Sequence, residues 1–219
     1  MENRIEVGPL LASVREILSG ATKPILAYVA AMTVVFTLMD LYNAESGHFT
    51  VSSIGSTVAG YLLMRALVLQ TELAAEGEVA GFGSYFGLGL LEGLAYLVGA
   101  ILLIVPAIVL MIRWTPSIPL LMCEKRGVAQ SMDLSWKATK GNFWPLLGLT
   151  LLGAVPFVLA VALSVSLFGN GDPTSATGII VSAITNLCLT ATLAYYALLA
   201  LATYKRLFRP HEGLAEVFA

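Results

Sequence analysis

The sequence predicts an all-α polytopic membrane helix bundle, and three observations carry that prediction. Hydrophobic residues make up 58% of the chain and charged ones 12%, against roughly 45–50% and 25% in soluble domains. The apolar residues fall in uninterrupted runs, several near the ~20 residues that a helix needs to cross a ~30 Å hydrocarbon layer. No stretch alternates with the period of two that a membrane barrel requires. A formal charge of −2 points to no acidic partner, and nothing indicates nucleic acid.

Residues 7–19 read as an interfacial amphipathic helix. Pro9 suits a first turn, Leu10, Leu11, Val14, Ile17 and Leu18 share a face, and Gly20 suits the stop. Six spans are expected over 25–41, 51–69, 84–105, 107–122, 143–167 and 178–204, with a second interfacial helix over 127–140. Polar connections hold Asp40, Glu45 and His48 after the first span, Glu72, Glu76 and Glu78 after the second, and residues 169–175 after the fifth.

Pro106 disfavours helix for the residue before it, so a tight turn is expected at Val105, Pro106 and Ala107. A kink within one long helix is the alternative, and charge decides. With a turn, every lysine and arginine except Arg65 and Arg113 falls on one side of the membrane. The positive-inside rule makes that side cytoplasmic, which puts both termini there in a bacterial inner membrane. Trp136, Trp144, Tyr204 and Phe208 then mark the inner interface, and Tyr42, Phe49 and Phe168 the outer one.

Arg65, Glu92 and Arg113 lie inside spans. At ~1.5 Å per residue they share a layer ~10–15 Å from the cytoplasmic edge. A lone charge at mid-membrane costs about 2.5–3.5 kcal/mol, so such residues face the bundle interior and pair. Glu92 is expected to bridge one or both arginines. The layer serves either as a structural pair that fixes helix register or as a proton or anion pathway or headgroup site. A leftover arginine would face a polar cavity or a lipid phosphate. Gly83, Gly87, Gly89 and Gly93 give small-xxx-small spacings that predict close packing of the third span. A nucleotide loop is excluded, since no strand precedes them and no P-loop lysine follows.

In the second amphipathic segment Val128, Met132, Ser135 and Thr139 line one face, and Gln130, Asp133, Lys137 and Lys140 another. This suits a helix at the cytoplasmic interface. Asn186, Thr190 and Thr192 predict hydrogen bonds between helices. Gly20 and Pro24 before the first span echo Gly141 and Pro145 before the fifth, as in a parallel repeat. Cys123 and Cys188 read as packing residues, and His48 and His211 are isolated. No metal motif, nucleophile elbow or paired carboxylates are present, so neither cofactor nor enzymatic activity is expected.

The central stretch runs through Val105-Pro106, Arg113, Pro119 and Glu124, then Ser135-Trp136, Thr139, Gly141 and Trp144. It resembles the membrane-domain family of glycerophosphoryl diester phosphodiesterases, with its YciC-like bacterial inner-membrane relatives. Ala107 stands where that family usually has glycine. The resemblance implies a role in envelope integrity, and nothing resembles the soluble phosphodiesterase fused to some relatives. The expected function is therefore non-enzymatic: an envelope, lipid-related or scaffolding role, with membrane lipids and a membrane or soluble protein as partners. The alternatives are a small transporter or channel using the Arg/Glu layer, and a membrane subunit of a soluble phosphodiesterase.

Overall fold

The computed structural model describes residues 4–42, 49–102, 104–168 and 175–209, with side chains described except at 49–53 and 167–168. Glu45, His48, His211 and most of the 169–175 connection lie outside these residues, as do the side chains of Phe49 and Phe168.

Among the described residues every regular element is helical. These are α1 (Val7–Gly20), α2 (Thr22–Tyr42), α3 (Phe49–Gln70), a short 3-10 turn (Glu76–Glu78), α4 (Phe82–Leu102), α5 (Ile104–Arg113), α6 (Ser117–Glu124), α7 (Val128–Ala138), α8 (Phe143–Phe168) and α9 (Ala176–Phe208). Five helical stretches are long and apolar enough to cross a membrane: Thr22–Tyr42, Phe82–Leu102, Ile104–Glu124, Phe143–Ser166 and Ala176–Phe208. In α3 the apolar stretch Ile54–Gln70 is shorter. This is an integral, multi-pass helical membrane protein.

Proline sets where many of these helices begin. Pro9, Pro24, Pro106, Pro119 and Pro145 are each the third residue of their helix, in α1, α2, α5, α6 and α8. There the missing N–H costs nothing, because first-turn N–H groups have no partner within the helix. The echo between Pro24 and Pro145 is part of this wider pattern. The pattern also corrects the expected turn, because Val105 and Pro106 lie inside the first turn of α5, which begins at Ile104, while α4 ends at Leu102.

The chain does double back there. Gly99 of α4 packs so close to α5 that an added Cβ would stand 3.0 Å from the Ala107 nitrogen. Further down, the Tyr96 and Trp114 rings meet at 5.8 Å, and Ser117 reaches Glu92. Ala107, in place of the family's glycine, is accommodated because its neighbour on α4 is the glycine. The other glycines do not pack as expected. An added Cβ at Gly83, Gly89 or Gly93 would meet nothing within 4 Å, and at Gly87 only Val128 at 3.9 Å.

The second arm of the hairpin is broken between Arg113 and Ser117. Pro116 has no N–H to give to the Ile112 carbonyl, and Ser117 N–H turns back to Trp114 O at 3.0 Å. The Arg113 carbonyl thereby loses its helical donor. Two hydroxyls replace it, Ser135 Oγ of α7 at 2.8 Å and Thr139 Oγ1 of its C-terminal cap at 3.1 Å. So α7 is not a free interfacial helix. Its small polar face is buried at Ser131, Ser135 and Thr139, while Asp133 and Lys137 form an exposed pair at 2.6 Å.

Burial divides the molecule into two layers. The core lies at the end carrying Lys125, Lys137 and Lys205, where Leu67, Leu88, Ile112, Leu121, Leu146 and Leu201 are buried. Beyond it the helices expose apolar side chains such as Leu97, Ile104, Leu159 and Ile180, the surface a lipid environment covers. Helix α1 caps the core by docking on the last turns of α9, with Arg206 Nη2 donating to Pro9 O at 2.8 Å and Lys205 pairing with Glu16 at 2.9 Å. Both ends of the described chain therefore meet at one end of the bundle. Tyr204, expected at the interface, is fully buried and donates to Glu124.

Candidate functional site

A cleft of about 920 Å³ opens among α2, α3, α4, α8, α9 and the α5–α6 break. Most of its wall is apolar, including Met64, Leu90, Leu94 and Ile118, and hydroxyls from Tyr28, Tyr85, Tyr96 and Thr115 interrupt it. The open space follows from the glycines of α4, since Gly89 and Gly93 line it without side chains. Among the described residues no lysine, arginine or histidine lines it.

Among the described residues Glu92 is the one carboxyl in this wall. It is 6% exposed, and its contacts are hydroxyls: Ser117 Oγ donates to one oxygen and Tyr96 OH to the other at 3.4 Å. The expected bridge from Glu92 to the arginines is not made: Arg65 turns to Glu76 and Arg113 to the Trp136 ring. Arg65 reaches toward the end of α3 and pairs with Glu76 at 2.9 Å, with the two side chains 36% and 79% exposed. Such an exposed pair places Arg65 near water rather than in a dry layer.

Arg113 ends α5 with its guanidinium carbon 5.4 Å from the centroid of the Trp136 ring. Its Nε and Nη1 are buried without a hydrogen-bond partner. Trp136 in turn sits 6.4 Å from Trp114, which lines the cleft. The Trp136 side chain also lines a second groove of about 590 Å³ between α4 and α5, with apolar walls.

The central motif is thus the set of parts that build one junction. Pro106 and Pro119 start α5 and α6. Glu124 accepts from Arg126 Nε and Tyr204 OH. Ser135 and Thr139 cover the broken carbonyl, and Trp136 covers Arg113. Gly141, at φ 87°, turns the chain into α8 in a region that side chains disfavour. Trp144 is 77% exposed at the start of α8. A family model described as the membrane domain of glycerophosphoryl diester phosphodiesterase matches residues 90–209, the stretch that contains this junction. The chain belongs to that family. Comparison with curated proteins and with solved structures found no match. The family stretch begins in the middle of α4, so it supplies Glu92, Gly93, Tyr96 and Trp114 to the cleft, while Tyr28, Met64 and Tyr85 come from the part before it.

The hydrogen bonds expected of α9 form a polar seam whose α2 side was not foreseen from the sequence. Asp40, read as a loop residue, is on α2 and accepts from Ser182 Oγ and from Asn186 Nδ2, the latter at 2.7 Å. Thr33 and Thr190 meet at 2.9 Å on the same pair of helices. Ser182, Asn186 and Thr190 recur every four residues on α9, a periodic signal that identifies a polar stripe. Thr192 donates to Gly153 O at 3.1 Å, so the hydrogen bonds expected of α9 are present.

Proposed function

We propose that this chain is a non-enzymatic protein of the bacterial inner membrane with a lipid-related role, holding a membrane amphiphile in the cleft beside Glu92. The cleft itself carries the reading. An apolar space of about 920 Å³ edged by one carboxyl and several hydroxyls suits a molecule with an apolar tail and a small polar head. Loss of water around the tail supplies the affinity, and the few polar groups supply orientation. The basic end of the bundle faces the cytoplasm, so both termini are cytoplasmic.

The membrane crossings follow from helix lengths. Helix α5, with 10 residues, rises ~15 Å, whereas α8, with 26 residues, rises ~39 Å. The Arg113 carbonyl is held by Thr139, four residues before α8 begins, so the two climbs start near one level. The α4–α5 hairpin therefore enters from the cytoplasmic side and turns back inside the bilayer. On this reading α2, α3, α8 and α9 cross fully and the α4–α5 hairpin is re-entrant, in place of the six spans expected from the sequence. Phe82–Leu102 and Ile104–Glu124 are themselves long and apolar enough to cross, so the depth of the hairpin tip distinguishes the two topologies.

Gly93→Phe tests the cleft, because Gly93 lines it and an added Cβ there meets nothing within 4 Å, so the ring takes up cleft volume. Native mass spectrometry of the purified protein is expected to show a bound amphiphile that this variant loses, with unchanged helix content. Equal retention of the amphiphile by both proteins overturns the reading.

A further inference from the structure

We infer that Arg113, packed against the Trp136 ring that lines one end of the groove between α4 and α5, is the anchor for the phosphodiester of an anionic phospholipid whose acyl chain lies along that groove. Charge balance is the first argument. Arg113 buries two donor nitrogens without an acceptor, and a flat ring contact with Trp136 at 5.4 Å offers it no acceptor atom. Among the described residues the carboxyls near this layer are already engaged: Glu92 by Ser117 and Tyr96, Glu76 by Arg65, Glu124 by Arg126 and Tyr204, and Asp133 by Lys137. A guanidinium beside the hydrocarbon layer takes its counter-charge from what surrounds it, and the anion present at that depth is a lipid phosphate.

Shape is the second argument. Pro106, Val109 and Leu110 line the groove, and Arg113 follows them at i+7, i+4 and i+3, on the same face of α5. Across from them stand Leu94, Val98 and Leu102 of α4, and Trp136 closes the base beside the guanidinium. The result is an apolar trough of about 590 Å³ with the Trp136 indole at one end and the Arg113 guanidinium packed against that indole. That order, tail above and charge with aromatic ring below, matches the order of a phospholipid in the leaflet that the hairpin enters. The site is distinct from the cleft beside Glu92, which no cation lines among the described residues.

The test uses the full-length protein in detergent, delipidated and titrated by native mass spectrometry with phosphatidylglycerol, with diacylglycerol of the same chains, and with inorganic phosphate. Phosphatidylglycerol is expected to bind best, and Arg113→Gln to weaken it by roughly tenfold without changing diacylglycerol binding. Val98→Trp, which fills the trough and leaves the guanidinium in place, is expected to weaken the same lipid should Arg113→Gln fold poorly. Gly93→Phe is expected to leave it unchanged, which separates this site from the cleft. Equal binding of phosphatidylglycerol and diacylglycerol overturns the inference, as does full binding by Arg113→Gln or by Val98→Trp. Competition by inorganic phosphate at equal concentration overturns the lipid assignment.

Discussion

At the residue scale, Glu92 shows how hydrogen bonds can stand in for an ion pair. Its two oxygens face the hydroxyls of Ser117 and Tyr96, and neither Arg65 nor Arg113 is bridged to it. An amide can occupy that position with the same shape and similar contacts. Glu92→Gln is therefore expected to stay within ~1 kcal/mol of the parent, while Glu92→Ala loses both contacts and opens space, at a cost of ~2–3 kcal/mol. Thermal unfolding in detergent, followed by circular dichroism, checks the order of the three proteins. A salt bridge at Glu92 would make the glutamine variant nearly as unstable as the alanine one, so that outcome sinks the hydroxyl reading. Gly153 belongs to the same scale: a Cβ there would fall 2.2 Å from the Tyr195 ring, whose hydroxyl is tied to Leu149 O at 3.0 Å.

At the element scale, the decisive feature is the break between α5 and α6. Pro116 and the turn at Ser117 leave the Arg113 carbonyl without a backbone donor, and α7 is held in place by supplying two hydroxyls to it. Removing one leaves the other, so Ser135→Ala is expected to cost ~1 kcal/mol. The double variant Ser135→Ala with Thr139→Val strands a buried carbonyl and is expected to cost ~2–4 kcal/mol. Limited proteolysis at the α6–α7 connection should rise in the same order. Additive, negligible losses would mean that α7 is held by its apolar contacts alone.

At the scale of the whole molecule, the position of the hairpin tip decides the topology. With Cys123 and Cys188 replaced by serine, a cysteine at Ile104 is expected to resist a membrane-impermeant maleimide from either side of the membrane. A cysteine at Lys137 should react from the cytoplasmic side alone. Labelling of position 104 from the periplasm would establish a full crossing and restore six spans. The two-layer burial bears on the same point, because the packed core lies at the basic end and the lipid-facing half of the helices is loosely covered by protein.

The sequence by itself determined the class, the reversal of the chain near Pro106, and the junction from Pro106 to Trp144. Each is a local property: hydropathy sums over about 20 neighbours, a proline restricts its own turn, and a positive φ at Gly141 belongs to one residue. Tertiary structure decided which partner each charge takes, that Gly99 rather than Gly89 or Gly93 makes the close approach, and that Asp40 faces Asn186 across 146 positions of sequence. Hydrogen bonds and ion pairs form or fail within an ångström, whereas distance along a helix leaves the azimuth and tilt of each rod open. Those are set by how the rods pack, and here packing turned one expected charged layer into three separate contacts.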